Sequence, residues 1–331
     1  MRFARILSKL ILGIGIVAVM LTAGIYFGVG KAPTCLFPAN GPAKPGLSTR
    51  VLYSNGIKRC YLLYIPVGYT ASKPKPVVFA LHGLAGNARG FLSMTGWNEL
   101  AEREGFLVVY PHGSSFPLRW NTSPAFRIEH IDDVQFIEDI LIKLSEIANI
   151  DGARIYGNGF SQGATFTEMI ACDLADRLAA VGMVEGYGDT DRLNCDLARP
   201  LPLIALIGTA DVLGEPEDYP QWFYDLMNLS PDPRYIEDLP FDVWRDLWIA
   251  DNGCDPRSVD EKSSGEVHLV HYNQCAEGTE IQLYWLEGAG HTWPGGKNYA
   301  LFEETSDAVD ATEVIWAFFE AHSLPDRYIQ K

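Results

Sequence analysis

A serine hydroxyl becomes a strong nucleophile only when a tight turn presents it and a base can take its proton. Gly159-Phe160-Ser161-Gln162-Gly163 has the make-up of such a turn. It follows a strand predicted over Arg154–Tyr156 and opens a helix predicted over Thr165–Ala175. Glycines two before and two after the serine leave room where strand and helix crowd the turn. The helix N-terminus would offer backbone N–H groups to an oxyanion. A Gly-x-Ser-x-Gly motif is common by chance, and a glycine-rich loop without chemistry is the competing reading; the order of its partners separates the two.

Those partners are an acid and then a histidine, downstream of the serine. Of seven histidines, His82, His112 and His130 come too early, His268 and His271 fall in a strand-like run, and His322 sits in the C-terminal segment. His291 remains, in Gly288-Ala289-Gly290-His291-Thr292-Trp293-Pro294-Gly295-Gly296 after a strand predicted over Ile281–Leu286. The acid is expected at Asp211, in Gly208-Thr209-Ala210-Asp211 after a strand predicted over Leu203–Ile207. Its rivals Glu215, Glu217 and Asp218 read better as solvated loop positions. Asp211 lies 50 residues after Ser161 and 80 before His291, enough for the intervening strand–helix units. The oxyanion donors should be the N–H of Gln162 and one from His82-Gly83-Leu84-Ala85-Gly86-Asn87, Leu84 in preference to Gly83. No phosphate-cradling Gly-x-x-x-x-Gly-Lys motif is present, and no metal or cofactor is expected.

To bring these loops together the chain needs a sheet whose strands share one direction. Further strands are predicted over Tyr61–Pro66, Pro76–Leu81, Phe106–Tyr110 and Ala180–Glu185, several as apolar runs without alternation, the mark of strands buried on both faces. Helical periodicity appears over Asp133–Ala148, Trp222–Met227, Val243–Ala250 and Asp307–Ala321. The alternation predicts an α/β fold, a mostly parallel sheet with helices on both faces.

Composition narrows the class further. With 331 residues, 47% hydrophobic and 21% charged, the chain is globular, and its net charge of −16 excludes nucleic acid as a partner. Arg2, Arg5 and Lys9 precede an uncharged run of 21 residues from Leu10 to Gly30, long enough to cross a bilayer. Residues 1–30 are therefore expected to be a signal-anchor or a signal peptide, with everything after Lys31 outside the cytoplasm. The length favours a retained anchor over a cleaved peptide. Cys35 matches a lipoprotein cleavage box poorly. Gly24-x-x-x-Gly28 would let two such helices approach, a weak hint of dimerisation, and Gly13-x-Gly15-x-x-Ala18 lacks the strand that a dinucleotide site needs. Residues 31–50, rich in Pro and Gly, read as a tether, and 51–331 as one catalytic domain. The cysteine positions suggest sequential pairs, Cys35 with Cys60, Cys172 with Cys195 and Cys254 with Cys275, although six cysteines allow fifteen pairings and buried thiols are the weaker competing reading. The last pair is expected to matter more to activity, by tying the strand that carries the His291 loop.

Several stretches together resemble the polyhydroxybutyrate-depolymerase-like and feruloyl-esterase-like α/β-hydrolases. They are Leu81-His82-Gly83, Trp120-Asn121, Asp132-Asp133-Val134 with Phe136, the serine turn, Gly208-Thr209-Ala210-Asp211, Asn252-Gly253-Cys254 and Gly290 to Gly296. The resemblance runs from about Arg59 to the C-terminus and implies an α/β-hydrolase fold. It also implies an ester substrate, small or polymeric, and an acyl-enzyme on Ser161 with Asp211 and His291. It places Trp120 and Trp293 at the substrate, and Cys172–Cys195 and Cys254–Cys275 look similar to pairs found in that family. Leu84, Ala164 and Ile207 depart from the family's usual Cys, Gly and His. Between Asp211 and Cys254 lies an acidic insert with Tyr219, Trp222, Phe223, Tyr224, Tyr235, Phe241, Trp244 and Trp248. It reads either as a cap that stacks on a phenolic or polymeric ester or as helices packed on the sheet. Outside ester hydrolysis, a binding module on the same scaffold and a serine peptidase are the alternatives.

Overall fold

The computed structural model describes residues 37–115, 117–122, 128–188, 190–211, 239–297 and 305–329. A ten-stranded sheet has the order β1-β2-β4-β3-β5-β6-β7-β10-β9-β8. Its strands are β1 (Gly46–Ser54), β2 (Ile57–Ile65), β3 (Lys75–Leu81), β4 (Leu107–Pro111), β5 (Ile150–Phe160), β6 (Ala180–Val184), β7 (Leu203–Gly208), β8 (Val259–Ser264), β9 (Val267–Tyr272) and β10 (Ile281–Leu286). Neighbours from β4 through β3, β5, β6 and β7 to β10 pair parallel, while β1 and β2 on one side and β9 and β8 on the other pair antiparallel. This is the mostly parallel sheet expected.

The central strands alternate between two cores. Val77, Phe79 and Leu81 of β3 face a core that holds Phe136, Ile140, Phe166, Ile170, Trp244 and Trp248. Val78 and Ala80 face the opposite core, with Trp97, Phe106, Ile315 and Phe319. The first face is covered by α3 (Asp133–Ile147), α4 (Gln162–Leu174) and α5 (Phe241–Asp251), the second by α1 (Ala88–Thr95), α2 (Trp97–Glu104) and α6 (Ala311–Glu320). Asp132 caps α3 by accepting the Gln135 N–H at 2.9 Å, and Asp310 caps α6 through Glu313 at 3.1 Å. That second cap starts α6 four residues later than the periodicity predicts.

β1 begins at Gly46, inside the segment expected as a tether, and buries Thr49 and Arg50. The Arg50 guanidinium donates to the carbonyl of Gly41 at 2.8 Å. β8 is exposed along nearly its whole length, so it carries no apolar alternation to predict it from. Among the described residues no helix is long and apolar enough to cross a membrane. The expected span, with Gly24 and Gly28, lies outside the described residues, as do Cys35, Glu215, Glu217, Asp218 and the expected helix Trp222–Met227.

Cys172–Cys195 and Cys254–Cys275 are disulfides, Cys60 is also disulfide-bonded, and none of the described cysteines is free. Cys275 precedes β10 at its Ile281 end, whereas His291 follows the other end, roughly 20 Å away at the rise of a six-residue strand. Backbone bonds Ala276 N–H to Asn252 O (2.7 Å) and Asp255 N–H to Gln274 O (3.0 Å) hold the same junction. The bridge therefore braces the far end of the strand, which removes the geometric ground for expecting it to govern the histidine.

The aromatic insert meets the sheet through a buried charge cluster. Trp244 and Trp248 are fully buried, and both indole N–H groups donate to Glu168 Oε2 of α4 at 3.1 Å. Arg192 pairs with the other oxygen of Glu168 and with Asp251 at the end of α5. These two tryptophans take the packing role. Tyr219, Trp222, Phe223, Tyr224 and Tyr235 lie outside the described residues, and Phe241 is half-buried. Burial pushes the Glu168 carboxyl above its ordinary value, and the Arg192 charge opposes that push. Glu168→Gln should lower stability by about 3 kcal/mol in urea denaturation, because it leaves the buried Arg192 guanidinium with Asp251 as its one charged partner; an unchanged midpoint would count against the cluster.

Candidate active site

Ser161 sits between β5 and α4 with φ 55° and ψ −126°, a conformation that costs energy in a residue with a Cβ. Its neighbours explain how the turn closes. A Cβ on Gly159 would lie 2.0 Å from the Gly163 carbonyl oxygen, and one on Gly163 would lie 2.2 Å from the Leu81 oxygen. The Ser161 N–H donates to the Val184 carbonyl at 2.9 Å, so β6 holds the turn from its other side. As the first residue of α4, Gln162 points its N–H out of the helix end with no intrahelical acceptor.

His291 and Asp211 meet as their order implies. His291 Nδ1 lies 2.7 Å from Asp211 Oδ2, with both side chains mostly shielded, 12% and 11% exposed. With its proton on Nδ1 toward the carboxylate, the ring carries its basic lone pair on Nε2. The ring packs 4.9 Å from that of Phe160, the residue before the serine. The loops that carry Asp211 and His291 are also joined directly. The Ala210 N–H donates to the Ala289 carbonyl at 2.9 Å, and the Gly288 N–H to Thr209 Oγ1 at 2.9 Å.

The loop after β3 lies against the serine, since a Cβ on Gly83 would come within 3.1 Å of Ser161 Cβ. Leu84 is half-buried there, and the Ala85 N–H donates to the Leu118 carbonyl at 2.8 Å. His82 holds the loop from within. Its Nε2 accepts the Gly113 N–H at 3.0 Å, which places its proton on Nδ1, 2.8 Å from the Gly83 carbonyl. Burial holds the His82 pKa down at about 4, so the ring is neutral.

Trp120 and Trp293, expected at the substrate, are both buried. Trp120 is fully buried and stacks on Phe166 at 4.6 Å. Its backbone N–H donates to the Gln162 side-chain oxygen at 3.1 Å, and its carbonyl accepts from the Gln162 side-chain N–H at 3.2 Å. Its indole donates to the His82 carbonyl at 2.7 Å, so the residue locks the two expected oxyanion loops together. Trp293, 1% exposed, donates to Thr312 Oγ1 at 3.0 Å and meets Phe91 edge-on. The rest of its motif anchors the histidine loop. Gly295, at φ 71°, would place a Cβ 2.7 Å from Asp310 Cα, and one on Gly296 would lie 2.6 Å from the Met94 carbonyl. These tryptophans stand in the sequence beside site residues, and adjacency does not reveal burial.

Sequence reasoning also missed the supports. Asp133 pairs with Arg59 at 2.6 Å and accepts the Asn121 N–H at 2.8 Å, which fixes the segment leading from Trp120. Among the described residues no group of three His, Cys, Asp or Glu is arranged to hold a metal ion.

Several known esterases are similar to this chain in sequence or fold. The family model described as "Esterase PHB depolymerase" matches residues 59–191, from the start of the resemblance through the serine turn. The chain is 26% identical over 221 residues to a bifunctional acetylxylan esterase/xylanase of Neocallimastix patriciarum, covering 66% of this chain but 29% of that protein. It spans well under half the length of that relative. It is 25% identical to feruloyl esterase C of Emericella nidulans over 92% of this chain and 98% of that one. Among solved structures, an acetyl xylan esterase from Aspergillus awamori superposes with a TM-score of 0.53 at 16% identity, covering 74% of this chain and 94% of that one, which shows a shared α/β-hydrolase fold.

His112, beside His82, is 2% exposed, and neither ring nitrogen has a hydrogen-bond partner among the described residues. Burial and then the charge of His82 push its pKa from 6.5 down to about 3. Its folded pKa lies below its unfolded one, so the associated stability is whole above about pH 6.5 and is lost as the pH falls toward 3. Replacing it by leucine should therefore stabilise the protein more at pH 5 than at pH 8, by about 2 kcal/mol. Equal gains of His112→Leu in thermal melts at the two pH values would refute this.

Proposed function

We propose that this chain, which is similar to the polyhydroxybutyrate-depolymerase-like and feruloyl-esterase-like α/β-hydrolases, is an extracytoplasmic serine esterase that cleaves carboxylic esters through an acyl-enzyme on Ser161. The observation that carries the proposal is the His291–Asp211 bond at 2.7 Å, with the histidine ring packed on Phe160 next to a serine held at positive φ. In the first step His291 Nε2 takes the Ser161 hydroxyl proton as Oγ bonds to the ester carbonyl carbon. The carbonyl oxygen becomes an oxyanion facing the N–H groups of Gln162 and Leu84. When the carbon–alkoxy bond breaks, the imidazolium returns its proton to the leaving alcohol. Water then repeats the sequence, freeing the acid and the serine. Asp211 accepts from Nδ1 throughout and stabilises the imidazolium, more strongly because both side chains are shielded.

The disulfides support an oxidising compartment, and the apolar run before Lys31 supports export, as a signal-anchor or as a cleaved signal peptide. A small or polymeric ester remains the substrate class, and the named relatives, an acetylxylan esterase and a feruloyl esterase, support ester chemistry.

Ser161→Ala should reduce kcat/KM on p-nitrophenyl butyrate by about 10⁴-fold or more and abolish labelling by a fluorophosphonate probe. Undiminished turnover in the mutant would overturn the assignment. Folded wild-type protein that neither labels nor hydrolyses any short-chain, feruloyl or hydroxybutyrate ester would identify a binding module instead.

A further inference from the structure

Ser161 is not the only strained residue at the sheet's edge. Glu185, which follows the neighbouring strand β6, has φ 48° and is 3% exposed. A buried acidic residue in the left-handed region persists only where its surroundings hold it there. Glu185 is tied to β7 twice. Its N–H donates to the Leu206 carbonyl at 3.0 Å, and its carboxylate accepts the Gly208 N–H at 2.9 Å.

The residues on either side of Glu185 bind the serine turn. Val184 accepts the Ser161 N–H at 2.9 Å, and a Cβ on Gly186 would lie 2.7 Å from the Ser161 carbonyl oxygen. Gly208, on its far side, is the root of the Asp211 loop. It is pressed against the histidine loop so closely that a Cβ there would lie 2.3 Å from the Ala289 oxygen and 3.0 Å from Glu185 Oε1. One side chain thus spans from the segment that grips the nucleophile to the point where the acid and base loops meet.

We propose that Glu185 is a positioning residue: its carboxylate, by accepting the Gly208 N–H, sets the separation between the Ser161 turn and the paired Asp211 and His291 loops. The inference rests on the proposed ester hydrolysis at Ser161. In this role Glu185 acts through Gly208. A displacement of about 1 Å at the reacting groups is enough to cost on the order of a hundredfold in rate.

The test compares two variants of nearly equal volume in the full chain. Glu185→Gln keeps an acceptor for Gly208, and Glu185→Met removes it. With p-nitrophenyl butyrate, Gln should hold kcat within about threefold of wild type, while Met should lower it by about a hundredfold with KM nearly unchanged. The far-downfield proton NMR signal of His291 Nδ1–H, bonded to Asp211, should persist in the Gln variant and be displaced or broadened in the Met variant. A folded Met variant with wild-type kcat and an unmoved signal overturns the proposal, and so does a Gln variant that loses as much rate as Met. If Glu185→Met does not fold, Glu185→Asp, which withdraws the acceptor by one methylene, is read in its place: lost kcat supports the role and wild-type kcat overturns it. Should wild-type protein neither hydrolyse esters nor label, the esterase reading falls by itself, and the NMR comparison still decides the role of Glu185.

Discussion

The start of α4 lies so close to the ends of β3 and β5 that only glycine fits at two of its contacts. Gly159 meets the Gly163 carbonyl, and Gly163 meets the Leu81 carbonyl, at distances where a methyl group would overlap the oxygen. That approach forces Ser161 into its positive-φ turn and brings the loop after β3 against it. It also places the first N–H of α4 beside that loop, where an oxyanion would form. Because β3, β5, β6, β7 and β10 all run one way, the loops that carry Leu84, Ser161, Glu185, Asp211 and His291 leave the same edge of the sheet.

Buried polar groups hold those loops in place. His82 is neutral because a backbone N–H claims one nitrogen and burial disfavours the charged form. It joins Gly83 to Gly113, while the Gln162 side chain joins the serine turn to Trp120. Arg59 with Asp133 and Arg192 with Glu168 do the same farther out, each fixing a segment to a helix. Pairs of this kind gain little net stability over apolar packing, since desolvation offsets most of their attraction. Their effect here is to give each loop a single arrangement over the sheet.

Much of this was legible in the amino-acid order. The strands buried on both faces announce themselves as apolar runs, and Ile281–Leu286 is a strand over those same residues. The serine turn is legible because its constraint is local: glycines two residues away are needed by backbone crowding within the turn itself. Asp211 and His291 are legible from order, because a parallel sheet brings successive strand ends to one edge. β1 and β8 were not, since edge strands need no apolar alternation.

Side-chain roles beyond the turn depended on distant neighbours. Trp120 and Trp293 occupy motif positions that place them at a substrate, yet Phe166 and Gln162 enclose one, and Phe91 and Thr312 enclose the other. Asp133 and Glu168 take their ion-pair partners, Arg59 and Arg192, from other segments of the chain. Glu185 is one residue among many at a strand end, and only the fold brings it to Gly208. The sequence by itself determined the strand order of the chemistry and the turn that presents Ser161, because those follow from periodicity and short-range sterics. Which residues would face a substrate and which brace the loops was decided by the tertiary structure alone, because burial and hydrogen-bond partnership are set by segments remote in the chain.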